Sequence, residues 1–142
     1  MVVVAGKNVE LEKECQAIAA TLPIPVKVHG FVSNMHELMD AADLIVTKPG
    51  GLTTTEILAK GKPMALVAPI PGQEQRNCEY LLEAGAAVRL YDVGDSAHYL
   101  EQWLGDEARM KRMASAARSI AQPDAAKAIA GALLARLAGT SS

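Results

Sequence analysis

The chain has 142 residues, half of them apolar with few aromatics, and a net charge of −2. That length supports one domain with a real core, and the balanced charge argues against general nucleic-acid binding. No stretch is long and apolar enough to cross a bilayer; Cys15 and Cys78 form no C-x-x-C, and His29, His36 and His98 form no H-x-x-x-H pair, which speaks against a disulfide framework or a zinc site.

Met1-Val2-Val3-Val4 lacks the basic region of a signal peptide and reads as a strand over Val2 to Ala5. A mature chain seldom opens inside a core strand, so these residues are expected to be a piece of a longer protein. Gly6-Lys7-Asn8 ends the strand. A helix is predicted from Val9 to Thr21, with Leu11, Cys15, Ile18 and Ala19 on one face, until Pro23 and Pro25 break it. Val26 to His29 is a short strand, followed by Gly30-Phe31-Val32 and a brief helix, Met35 to Ala41, that Ser33 or Asn34 can cap. Leu44 to Thr47 is a β-branched apolar run and reads as a buried strand. After Lys48-Pro49-Gly50-Gly51 a helix runs to Lys60 and stops at Gly61. Pro63 to Ala68 is another buried strand, and Pro69-Ile70-Pro71-Gly72 is a stiff turn. The next helix, Gln73 to Glu83, turns Cys78 and Leu82 inward and places Gln73 and Asn77 on one face. Ala87 to Tyr91 is the last strand. Three helices follow, Ser96 to Leu104, Glu107 to Ala121 and Asp124 to Leu137, then a polar tail from Gly139 to Ser142.

This alternation of strands and helices predicts an α/β, Rossmann-like parallel sheet with flanking helices and right-handed crossovers, in a single domain, 1–142. Ligands of such sheets bind beyond the carboxyl ends of the strands. The polar and glycine-rich stretches Gly6-Lys7-Asn8, His29-Gly30-Phe31, Lys48 to Gly51 and Pro69 to Gln73 fall at those ends.

The turn at Gly50-Gly51 has two readings. Adjacent glycines let a backbone approach a ligand with no Cβ in the way, and the unpaired N–H groups that open the next helix favour an anion. Equally, Gly-Gly can be only a tight turn, with Thr53-x-x-Glu56 as a capping box. The stretch matches neither a Walker loop nor G-x-G-x-x-G. Arg109, Lys111, Arg112 and Arg118 make a basic helix that carries Met110 and Met113, read as a solvated face in preference to a membrane contact.

Lys48-Pro49-Gly50-Gly51-Leu52-Thr53, Glu56, Ala59-Lys60-Gly61-Lys62-Pro63-Met64, Pro69-Ile70-Pro71-Gly72-Gln73-Glu74 and Asn77 together carry a resemblance. They resemble the C-terminal, donor-binding half of the GT-B glycosyltransferases, in the group of monogalactosyldiacylglycerol synthase and the processive diacylglycerol glucosyltransferases, with MurG further off. Gly6-Lys7-Asn8 and Gly30-Phe31-Val32 match in order and spacing; beyond Val93 the likeness is only helical. The resemblance implies a strand–helix unit before Val2 that these residues lack, and an N-terminal acceptor domain holding the proposed catalytic base, so no catalytic residue is assigned here.

The resemblance also implies the roles of particular residues. Backbone groups of Gly30, Phe31 and Val32 would hold uracil, with Phe31 as a plain core residue the alternative. Gly50, Gly51, Leu52 and Thr53 would hold the diphosphate, and Glu56 the two ribose hydroxyls, against its role in a capping box. Gln73, Glu74 and Asn77 would contact the sugar, against ordinary capping. Lys48 and Asn8 rank below these as phosphate contacts, against a place merely flanking the glycine turn for Lys48 and the start of the following helix for Asn8. The implied activity is that of an inverting, UDP-sugar-dependent hexosyltransferase acting on a lipid such as diacylglycerol. It would need no cofactor or metal, would be cytoplasmic, and would sit peripherally on the membrane as the intact protein; these residues alone would be inactive. The alternatives are a non-catalytic nucleotide-binding or interaction domain, and part of a UDP-sugar epimerase-type enzyme of the same plan.

Overall fold

The computed structural model describes residues 1–92 and 94–139; Val93 and the last three residues of the predicted polar tail lie outside the described residues. The elements follow the predicted order: β1 (Val2–Val4), α1 (Val9–Ala19), β2 (Lys27–His29), α2 (Met35–Ala41), β3 (Ile45–Thr47), α3 (Gly51–Ala59), β4 (Met64–Val67), α4 (Gln73–Glu83), β5 (Ala87–Leu90), α5 (Ser96–Gly105), α6 (Glu107–Ile120) and α7 (Ala125–Gly139). All strand pairing is parallel, in two hydrogen-bonded sets, β1-β2 and β3-β4-β5. The chain divides into two compact units, Met1–Leu38 and Met39–Ser142.

In the first unit Val2, Val3 and Val4 pair with Lys27, Val28 and His29. α1 begins where Asn8 accepts a hydrogen bond from the Leu11 N–H at 3.0 Å, an ordinary N-cap. It stops two residues short of the predicted Thr21, because the Thr21 hydroxyl and N–H both turn back onto the Ile18 carbonyl. The predicted apolar face of α1 is not a core face: Leu11 and Ile18 are exposed, and Cys15 and Ala19 are half-buried. Periodicity identified the stripe, but a two-stranded pair offers little surface to cover it.

The second unit holds the core. Met64 pairs with both Ile45 and Ala87, and Leu66 with both Thr47 and Arg89. β4 is therefore the central strand, and Met64, Ala65 and Leu66 are fully buried. Buried on both faces, it reads as a continuous apolar run with no alternation. Met64, Leu66 and Ala87 pack with Ile57 and Leu58 of α3, Cys78 and Leu81 of α4 and Ala117 of α6. The opposite set, Ala65, Val88 and Leu90, packs with Trp103 of α5 and Met113 of α6. Met113 is buried and Met110 half-buried, and the Arg109 guanidinium lies 5.5 Å from the Trp103 ring centroid. The methionines of α6 thus serve the core; Lys111, Arg112 and Arg118 of the same helix are exposed, while Arg109 is half-buried against Trp103. α7 is mostly apolar, with Lys127 and Arg136 its only charges and Ile129, Leu133, Leu134 and Leu137 exposed.

Candidate functional site

Two loops leave the carboxyl ends of neighbouring strands in the second unit. After β3, Pro49 is fully buried and its carbonyl accepts a hydrogen bond from Asn77 Nδ2 of α4 at 3.0 Å. The Gly50 N–H reaches back to the Lys48 carbonyl at 2.8 Å. α4 therefore anchors the turn that launches α3. After β4, Ala68 takes a φ of +40°, unusual for a residue with a side chain. The loop then closes where the Ile70 N–H donates to Glu74 Oε2 at 2.9 Å.

α3 starts at Gly51, with Gly50 as N-cap and no side chain capping it. This corrects the capping-box reading, because Thr53 lies inside the helix and not at its boundary. The first intrahelical bond runs from the Thr54 N–H to the Gly50 carbonyl, so the N–H groups of Gly51, Leu52 and Thr53 precede the ladder and face outward. Thr54 and Thr55 turn their hydroxyls back onto the carbonyls of the first turn.

Neither glycine is demanded by the fold. Gly50 has φ −70° and ψ 140°, which any residue adopts, and Gly51 is helical. A Cβ at Gly50 would meet nothing within 4 Å, and one at Gly51 only Gln73 Nε2, at 4.0 Å. What the glycines leave is an uncovered helix terminus.

Of the residues expected around it, Thr53 and Glu56 lie one turn apart on α3, and among the described residues the Glu56 carboxylate has no hydrogen bond or ion pair. Gln73, at the first position of α4, faces Gly51. Glu74 and Asn77 are partly engaged already: one carboxylate oxygen of Glu74 orders the Pro69–Gly72 loop, and the Asn77 amide nitrogen holds Pro49. The bracing by Asn77 spans 28 residues, so sequence spacing offered no signal for it.

In the first unit the loops after β1 and β2 also meet. Lys7 Nζ stands 5.4 Å from the Phe31 ring centroid, a cation–π contact. Phe31 is 68% exposed, which overturns its reading as a core residue. Glu12 of α1 lies against Gly30, where an added Cβ would meet Glu12 Oε2 at 2.5 Å. Glu12 was not among the expected residues; its only signal was a place one turn past Asn8 on the same helix face. Asn8 caps α1, which settles its alternative role as a helix start. Among the described residues no group of three His, Cys, Asp or Glu side chains could hold a metal ion. No helix among them is long and apolar enough to cross a membrane.

Residues 1–120 match the family model described as "Glycosyl transferases group 1". The chain is 37% identical over 135 residues to a processive diacylglycerol beta-glucosyltransferase of Bacillus cereus (strain AH820), covering 95% of this chain and 35% of that protein. It is likewise 37% identical over 134 residues to the enzyme of the same name from Bacillus thuringiensis (strain Al Hakam), covering 94% of this chain and 34% of that one. Among solved structures, MurG of Acinetobacter baumannii superposes with a TM-score of 0.75 at 25% identity, over 91% of this chain and 40% of that one. The chain thus spans about a third of the length of the curated relatives it matches.

Proposed function

We propose, from the premise that this chain belongs to the glycosyl transferases group 1 family, that it is the donor-binding part of an inverting hexosyltransferase using a UDP-sugar. The observation that carries this is the helix terminus of α3, uncapped by any side chain and opened by two glycines that the backbone does not require. A diphosphate suits it. The N–H groups of Gly51, Leu52 and Thr53, with the helix dipole, stabilise the negative charge left when the sugar–phosphate bond breaks. Thr53 adds its hydroxyl. Glu56, an acceptor with two oxygens and no internal partner among the described residues, takes the two ribose hydroxyls. Gln73, the free oxygen of Glu74 and the amide oxygen of Asn77 take sugar hydroxyls. In the first unit, backbone groups of Gly30, Phe31 and Val32 read uracil, which backbone donors and acceptors can do with little help from side chains.

The names of the relatives support a lipid of the diacylglycerol class as acceptor of the whole protein. The catalytic base and acceptor site are then assigned to the part that these residues do not include, and the intact enzyme to the cytoplasmic membrane surface. No metal is called for, because the helix terminus carries the charge that an ion would otherwise meet.

The test is calorimetric titration with UDP, ADP and orthophosphate. UDP is expected to bind most tightly; equal binding of UDP and ADP would overturn the uracil assignment, and no binding of either nucleotide would overturn the donor site. Supplying the intact protein with UDP-sugar alone or with diacylglycerol separates an epimerase from a transferase.

A further inference from the structure

A second charged feature lies at the other edge of the β3-β4-β5 sheet, at the amino ends of β3 and β4. A groove of 260 Å³ runs between the turn Lys60-Gly61-Lys62-Pro63 and one side of α6, and is lined by Lys60, Lys62, Lys111 and Arg118 with Asp43 and Glu107. Two of these cations are neutralised in place: Lys60 pairs with Asp40 at 2.7 Å and Lys111 with Glu107 at 2.6 Å. The other two are not. Lys62 Nζ donates to the backbone carbonyl of Asp40 at 2.8 Å, and Arg118 to that of Gly61 at 3.4 Å. Among the described residues neither reaches a carboxylate.

These two side chains are also held in place. Gly61 has φ +62°, and a Cβ there would strike the Arg118 stem, 2.5 Å from Cγ. Glycine therefore serves twice: it closes α3 in a left-handed conformation and lets Arg118 lie flat across the turn. Carbonyl bonds orient both cations without cancelling their charge, and each keeps further N–H donors. Pro63, Met110 and Ala114 supply an apolar floor. A positive groove with low-dielectric walls concentrates anions, and guanidinium with ammonium suits a tetrahedral oxyanion reached from two sides.

We propose that this groove binds the phosphate group of a phosphate ester, held by Lys62 and Arg118 and separate from the donor site at the carboxyl ends of the strands. The chemistry is the same whether the phosphate belongs to a soluble metabolite or to a phospholipid headgroup, so the test has two arms. The 142-residue chain is titrated with glycerol 3-phosphate by calorimetry. In parallel it is sedimented with vesicles of phosphatidylcholine alone and of phosphatidylcholine with phosphatidylglycerol.

Binding in the first arm assigns a soluble ester; binding only to vesicles with phosphatidylglycerol assigns a headgroup. In either case Lys62→Gln and Arg118→Gln are each expected to weaken binding about tenfold, the loss of one charge-assisted hydrogen bond. Asp43→Asn removes an opposing charge and is expected to tighten binding, a gain that misfolding cannot imitate. Arg112→Gln, on the exposed part of α6, is expected to leave binding unchanged, and UDP affinity should be unaffected in all four variants. The proposal is overturned by no binding in either arm. It is equally overturned by loss in Arg112→Gln as large as in Lys62→Gln, which would mark a diffuse basic face, or by weaker binding in Asp43→Asn.

Discussion

The substitution Gly51→Ala separates the two meanings of the glycine turn. As a matter of folding, the change is benign. Gly51 is helical, and the new methyl group meets only the end of the Gln73 side chain, at 4.0 Å. Replacing glycine by alanine where the backbone already suits alanine stabilises a helix by up to about 1 kcal/mol, so the melting temperature is expected to hold or rise by a few degrees. Binding is expected to move the other way. The methyl group lies on the terminus where the N–H groups of Gly51, Leu52 and Thr53 converge, and it pushes a diphosphate back from them. A hydrogen bond to a charged group contributes about 1.5–3 kcal/mol, so losing one lowers UDP affinity roughly ten- to hundredfold. Calorimetry with UDP and a thermal melt, run on wild type, Gly51→Ala and Gly50→Ala, read both quantities. UDP affinity within about twofold of wild type in both variants would return the glycines to the role of a turn. A fall of several degrees in either melt would refute the claim that the backbone does not need them.

Glu56→Gln is expected to cost about 1–3 kcal/mol in UDP binding by leaving a ribose hydroxyl without its acceptor, with no change in the melt. 2′-Deoxy-UDP on wild type and variant checks this, since the two losses should not add if they remove the same contact. Asn77→Ala leaves the buried Pro49 carbonyl without its donor, so we expect the chain to lose about 1–3 kcal/mol of stability by denaturant unfolding, with UDP binding weakened as the turn loosens. Chelator is expected to leave UDP affinity unchanged; a loss restored by magnesium would show that an ion carries the diphosphate. Burial pushes the Cys78 thiol above its ordinary value, with Arg89 pulling it down and Glu79 pushing it up. A raised folded value means that this contribution to stability is full below the unfolded thiol's range, about pH 8.5, and is lost as pH rises through the folded one. Wild type should therefore lose stability toward high pH more steeply than Cys78→Ala, and a parallel pair of unfolding curves would count against it.

How much of this was legible in the residues follows from the range of each interaction. The alternation of strands and helices rests on neighbours within a turn or two, so α2 and α4 stand at the predicted boundaries and every strand appears within a residue or two of its place. The buried character of β4 was equally readable, because a continuous apolar run of that length suits a strand covered on both faces. The glycine turn stood out for the same reason: strand, glycines and helix are consecutive. Helix starts were less legible, since the start of α3 at Gly51 depends on where the ladder begins, and a Thr-x-x-Glu pattern looks the same one turn into a helix as at its cap. Contacts between distant residues were not legible at all. Asn77 on the Pro49 carbonyl, Glu12 against Gly30 and Arg118 across Gly61 join residues that share no period and no motif. Whether an apolar stripe becomes core was likewise left to the tertiary structure: α1 and α4 both carry one, but α4 has a three-stranded sheet to bury Cys78 and Leu81 against, and α1 has two short strands. Local sequence sets which conformation a segment takes and which side chains lie along one face of it. Which groups meet, and which charges remain uncompensated, is decided only when segments far apart in the chain pack together, because hydrogen bonding, desolvation and charge pairing depend on distances in space.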